Sequence, residues 1–304
     1  MNGDALVVGE ALIDEVVETG SVRRHPGGSP ANVALGLARL QVPTRLHTAI
    51  GADEDGELIR QHLSASGVVL TAESATDQPT SRAVATLAPD GSATYEFALS
   101  WDPRNLEVLG APRLVHIGSL GAFLEPGSEV TSSIFRRGRA GGALTTFDPN
   151  IRPSLIGDPL RARTRLASLV PASHLTKLSD EDAEFLFPGE THDRVLDRLL
   201  DAGAAVVAIT RGSEGAYLAS GLDRVIVPPV VTSVADTVGA GDSFMAALIW
   251  ALAFTGDGWD GSPVSQEQLS EIGRTAARAA AITVSRPGAD LPVLSDLGTK
   301  QLSV

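Results

Sequence analysis

Along most of the chain, short apolar, β-branched runs alternate with stretches whose apolar residues recur at three- and four-residue spacing. This pattern predicts a mostly parallel sheet with helices on both faces, because each strand needs both sides covered. "ALVVG" (5–9) reads as a buried strand, and "SPANVALGLARL" (29–40) as a helix after a Gly-Gly-Ser-Pro opening. A strand follows at 45–51 and a helix at 54–67, closed by Gly67. Later strands are expected at 113–120, 143–149, 173–178 and 204–210, with helices beginning near Pro126, Pro159, Ser179 and His192. The last two helices are expected at 241–254 and 266–285.

Two segments break the alternation, 12–28 and 81–99. Both have period-2 patterning, and the second carries Pro-Asp-Gly at 89–91, which suits a hairpin turn. Strands inserted between βα units do not join a parallel sheet easily, so they are assigned to a small accessory sheet. Over the C-terminal edge of the main strands, where open α/β folds bind ligands, such a sheet would be a lid. Repeats, low-complexity tracts and linkers are absent, and the expectation is one α/β domain over residues 1–304, doubly wound.

Composition narrows the chemistry. Net charge is -13, and Lys and Arg never cluster beyond a pair, which argues against nucleic acid as a partner. The opening "MNGDALVVGE" has neither the basic nor the long apolar region of a secretion signal, and no run reaches the roughly 20 residues a membrane span needs. The expectation is a soluble, cytoplasmic protein. With no cysteine, thiolate sites are excluded, and the six histidines (25, 47, 62, 116, 174, 192) show no ligand spacing. P-loop, dinucleotide and hydrolase-elbow motifs are also missing. "DEDG" at 53–56 has too few alternate carboxylates for a Ca²⁺ loop and reads as a turn.

The candidate chemistry lies in "DTVGAGDSF" (236–244) before the apolar run "MAALIWALAF". Gly239, Ala240 and Gly241 let backbone come close to a ligand, and the free N–H groups of the following helix make an anion cradle. A carboxylate at Asp242 would repel a phosphate, so it fits a group that takes a proton from an attacking hydroxyl. The plain structural alternative is a helix N-cap.

"DTVGAGDSF" resembles the C-terminal signature of the ribokinase-like carbohydrate kinases, the PfkB family. The stretch "GGSPANVALGLARLQVPTRLHTAIGADEDG" (27–56) resembles that family's other signature, in the right order and over nearly the whole chain. The resemblance implies Asp242 as catalytic base, with Gly239, Ala240 and Gly241 as the anion hole. It implies that Asp14, Gly28 and Asn32 bind sugar hydroxyls, for which an exposed strand-end Asp and a helix-cap Asn are the structural alternatives. "TRGSEGAYL" (210–218) is similar to the family's nucleotide segment, so Thr210, Arg211, Gly212 and Gly215 would border ATP; a tight hairpin is the alternative. Where the family shows Asn and then Glu beside Mg²⁺, this chain has Ser179 and Asp182. Asp182 can keep the carboxylate role toward the metal, or the two can simply cap a helix. The family also implies K⁺ held by backbone near 236–238, including Asp236 and Val238, and near 285–289, and a homodimer built on the lid sheets.

For the acceptor, "FDPNIRPSL" (147–155) resembles fructokinase-like and 2-keto-3-deoxygluconate kinase-like members. Asn150 and Arg152 can donate to sugar oxygens, or Arg152 can pair with a sugar-acid carboxylate; a surface ion pair is the structural alternative. "HIGSL" (116–120), "KLSDE" (177–181) and Phe97 in the lid resemble fructokinase-like sequences. The expectation is transfer from MgATP to fructose, giving fructose 6-phosphate. Other acceptors in view are 2-keto-3-deoxygluconate, ribose and a nucleoside, beside a non-catalytic sugar-binding protein.

Overall fold

The computed structural model describes residues 3–18, 21–87, 93–107, 110–256 and 258–298. The expected Pro-Asp-Gly turn at 89–91 lies outside the described residues. Strand β1 (Ala5–Val8) is wholly buried, and the chain then forms β2 (Leu12–Glu18) and β3 (Ser21–Gly27) before helix α1 (Ser29–Arg39). After β4 (Thr44–His47), α2 (Glu54–Ser64) and β5 (Val68–Leu70) come β6 (Arg82–Leu87) and β7 (Ala93–Ala98). Next are β8 (Leu114–Gly118), α3 (Ser119–Phe123), α4 (Gly127–Ala140), β9 (Leu144–Asp148), α5 (Pro153–Ile156) and α6 (Pro159–Leu169). β10 (Leu175–Ser179), α7 (Asp180–Leu186), α8 (His192–Asp201) and β11 (Val206–Thr210) follow. The last elements are β12 (Ala216–Ser220), β13 (Asp223–Val227), α9 (Ala240–Ala253) and α10 (Gln266–Val284).

The main sheet has nine strands in the order β13-β12-β11-β10-β9-β8-β1-β4-β5. It is parallel from β11 to β5, and β12 and β13 add antiparallel at one end. One apolar layer joins the sheet to α1, α2, α9 and α10, and a second joins its other face to α4, α6, α7 and α8. The doubly wound α/β fold expected from the alternation is therefore present. The inserted segments form the separate four-stranded sheet β3-β2-β6-β7. The chain runs outward from β1 to β5 on one side and from β8 onward on the other, so the strand order reverses beside β1. The carboxyl ends of β1 and β8 form the crevice where such folds bind ligands.

The helix expected at 54–67 is α2, and the turn expected at 53–56 is its start. Asp53 is its N-cap, accepting from Gly56 N at 2.8 Å, and it also ties down Thr80 at the foot of β6. Asp55, buried, faces the small sheet and pairs with Arg82 and Arg24.

Candidate active site

Two helices meet at their first turns. Gly36 of α1 has no side chain where a Cβ would stand 2.7 Å from Ala246 Cβ of α9, so the helix axes approach closely. One turn nearer their N-termini this closeness brings Asn32 and Asp242 together. Ser29 Oγ donates to Asp242 Oδ1 at 2.6 Å and Asn32 Nδ2 donates to Oδ2 at 2.8 Å. Asp242 is 7% exposed. It is not an N-cap: Gly239 holds that position, with φ 77°, and the Asp242 side chain is taken by α1. A Cβ on Gly239 would stand 2.8 Å from Ala289 Cβ, so glycine is required there on both conformation and space. Ala240 and Gly241 open the first turn of α9, where the Ala240 N–H donates to Thr237 O at 3.3 Å; the remaining N–H groups of a helix start are of the kind that suits an anion.

Asn32, expected at the sugar, thus touches the expected base directly, and it lies inside α1 rather than capping it. Gly28 is the N-cap of α1 with φ 101°, and a Cβ there would stand 2.6 Å from Glu10 O. Asp14 on β2 lies beside Ala83 of β6, which lies beside Phe97 of β7, so Asp14 and Phe97 share one face of the small sheet. Although Asp14 is open to solvent on one side, burial of its carboxyl raises its pKa, against the pull of Arg152 and His25. The Arg152 charge reaches Asp14, and among the described residues Arg152 makes no ion pair; its Nη1 donates to Asn150 Oδ1 at 2.8 Å. Asn150 adopts φ 37°.

Ser179 and Asp182 form a capping box at α7. Asp182 Oδ2 accepts from Ser179 N at 2.9 Å, and its Oδ1 accepts from Ile151 N at 2.7 Å, tying α7 to the Asn150–Arg152 loop. One lone pair on each oxygen remains, enough for a water of a metal's shell. Ser179 neighbours Thr210 across β10 and β11, which sets the nucleotide segment beside it. Gly212 and Gly215 have φ 49° and 88° in the tight turn before β12. Arg211 is held there by Glu214 at 2.9 Å and stacks 4.3 Å from the Tyr217 ring. The segments 236–238 and 285–289 meet through Asp236 and Gly288. Asp236 accepts from Val238 N and Gly288 N, both at 3.0 Å, and the first of these bonds leads in holding its carboxyl below the usual range. Among the described residues no three His, Cys, Asp or Glu side chains form a metal-holding group, and no helix is long and apolar enough to cross a membrane.

Sequence reasoning missed three parts of this site. Ser29 lay inside a quoted motif without a role. Glu10 is buried at the end of β1, where Oε2 accepts from Gly121 N of α3 at 2.8 Å. Burial pushes its pKa up to about 7 against the Ser119 and Gly121 hydrogen bonds. The third is a buried ion pair, Lys177 Nζ to Asp148 Oδ2 at 2.8 Å. A charged residue inside an apolar run was the available signal for both.

Residues 3–296 match the pfkB family carbohydrate kinase profile. The chain belongs to this family. Among curated relatives, the fructokinase of Rhizobium leguminosarum bv. trifolii is 32% identical, with 81% of this chain and 79% of the relative covered. The probable fructokinase-4 of Arabidopsis thaliana is 30% identical, with 96% and 95% covered. Among solved structures, fructokinase from Xylella fastidiosa with bound ATP superposes with TM-score 0.81 at 25% identity, covering 98% of this chain and 97% of that one. Fructokinase from Vibrio cholerae O395, in a fructose, ADP and potassium ion bound form, shares the fold at TM-score 0.81 and 22% identity, covering 97% and 95%. As in other pfkB kinases, the fold is ribokinase-like with a separate small sheet.

Proposed function

We propose that this carbohydrate kinase is an ATP-dependent fructokinase, transferring the terminal phosphoryl of ATP to a primary hydroxyl of fructose to give fructose 6-phosphate. The observation that carries it is Asp242: a buried carboxylate on the first turn of α9, oriented by Ser29 and Asn32 beside backbone N–H groups that suit an anion. The curated relatives named fructokinase support fructose as acceptor.

On this reading Asp242 takes the hydroxyl proton as the oxygen attacks, while the 239–241 backbone holds the phosphoryl group. Asp14 and Asn32 receive the sugar hydroxyls, Gly28 lets the ring approach, and Phe97 covers it from the small sheet. Asn150 and Arg152 close the other side. Thr210, Gly212 and Gly215 border the nucleotide, and Arg211 serves the turn through Glu214 and Tyr217. Mg²⁺ suits a site with few carboxylates, because it keeps waters and binds chiefly phosphate; bound there it neutralises phosphate charge. Asp182 would hold it through water beside Ser179. Carbonyls around Asp236–Val238 and 285–289 suit K⁺. The chain works as one unit, with the inserted strands as lid; ATP as donor places it in the cytoplasm. The exposed face of β3, with Val22 56% exposed, would pair two copies, giving twice 31.5 kDa in solution.

The test is initial-rate ADP formation with MgATP and fructose, 2-keto-3-deoxygluconate, ribose, adenosine or glucose, with and without K⁺. Preference for fructose is expected, with a faster rate in K⁺. Preference for the sugar acid would make Arg152 a carboxylate clamp, and no turnover with any acceptor would overturn the assignment.

A further inference from the structure

Toward their carboxyl ends β9 and β10 carry opposite charges, Asp148 and Lys177. The ladder between these strands runs through Leu175↔Thr146 and Thr176↔Phe147, and beyond it Asp148 and Lys177 are joined by side chains instead. Among the described residues Lys177 is the one buried lysine or arginine, 3% exposed, and Asp148 is fully buried. Such a pair is a poor device for stability, since apolar residues of similar size usually serve as well or better. Two features point upward to α9. A Cβ on Gly241 would stand 3.6 Å from Lys177 Nζ, so the ammonium lies against the first turn of that helix. Asp148 Oδ1 is buried without a partner, and Lys177 has one hydrogen bond among the described residues although an ammonium has three N–H donors.

Charge makes the placement consequential. Lys177 also feels Asp182 and Asp242. Burial alone would pull its pKa down, but Asp148, followed by the other two carboxylates, holds it above the ordinary lysine range. One ammonium therefore serves three carboxylates on the floor of a site expected to receive a triphosphate. Were Lys177 to move onto Asp242, it would blunt the base and leave the floor of the cradle without its cation.

We propose that Asp148 is a positioning residue for phosphoryl transfer: it anchors the Lys177 ammonium beneath the Gly239–Asp242 turn, where its charge favours the transferring phosphoryl, and keeps it off Asp242. This rests on the kinase reading proposed above. Asp148 acts through Lys177, so the two must be coupled rather than additive.

The experiment is a double-mutant cycle of D148N and K177M with MgATP and fructose, with kcat and both KM values measured on protein whose folded fraction is checked by near-UV circular dichroism. Each single variant is expected to lose kcat on the order of 10², the size of one preorganised charge, with KM for fructose changed less than about threefold. In the K177M background, D148N is expected to have no further effect. Multiplying losses, or a D148N enzyme with wild-type kcat, would overturn the inference. If a single variant does not fold because it buries a lone charge, the neutral double variant decides: folded with kcat on the order of 10² below wild type supports the pair, and wild-type kcat refutes it. Wild-type protein that forms no ADP with any of the five acceptors would overturn the kinase reading itself, and the inference with it.

Discussion

At the scale of single residues, the centre of the site is a carboxylate with two neutral donors and one cation nearby. Ser29 and Asn32 fix the orientation of Asp242 without neutralising it, which suits a group that must accept a proton. Asp242→Asn keeps the shape and removes the base, so kcat is expected to fall by about 10² to 10⁴ while ATP affinity, measured calorimetrically, stays within about threefold. Ser29→Ala leaves Asn32 to hold the carboxylate and is expected to cost about tenfold in kcat, near the value of one hydrogen bond to a charged group. An S29A loss as large as that of D242N would mean that Ser29 does more than orient.

At the scale of elements, the site depends on how closely α1 approaches α9. Gly36→Ala would place a methyl 2.7 Å from both Ala246 Cβ and Leu291 Cδ2, which must yield. A stability loss of about 1 to 3 kcal/mol in urea unfolding is expected. Kinetics of G36A should show kcat falling more than KM rises, because Asn32 and Asp242 are one turn away; an unchanged kcat would show that the turns reach their geometry without this contact. The small sheet, the proposed lid, has its own tether, Asp55 gripping Arg82 at the start of β6. Arg82→Ala is expected to raise KM for the sugar about tenfold, as a weakened closed state would, with kcat nearly kept. Helices α1, α9 and α10 were legible in the sequence to within two residues, because their apolar spacing is long and unbroken. The second strand of the end hairpin, β13, was not: Leu222 and Ile226 are 99% and 67% exposed, so the edge lacks a buried rhythm. Strand β5, three residues long, and α3, five long, are too short to carry a period. At the site, the motifs located Asp242, but Ser29 is 213 positions away from it, and no local pattern records a contact of that range. The DEDG segment misled because its acidic composition suits both a turn and a helix start, and only the tie to Thr80 and Arg82 decides between them.

At the scale of the whole molecule, the crevice where the strand order reverses also sets how stability responds to pH. Glu10 stands there, joining the end of β1 to α3 through Gly121 N, with its pKa pushed by burial from 4.5 to about 7. Its folded value is raised, so the native chain binds this proton more tightly than the unfolded chain. The stability it contributes is full below about 4.5 and is lost as pH rises through 7. A shift of that size corresponds to about 3 kcal/mol across the window. Asp148, pushed up to about 6 by burial against the pull of Lys177, acts in the same sense, whereas Asp53 and Asp236 lie below their usual range and act oppositely at lower pH. Glu10→Gln keeps an acceptor for Gly121 N and removes the proton. Thermal unfolding between pH 5 and 8 should therefore show the wild-type Tm declining relative to E10Q, with the variant the more stable of the two at pH 8. Parallel curves would place the Glu10 carboxyl near its ordinary range, ionised across the whole window, and overturn this account of the pH dependence.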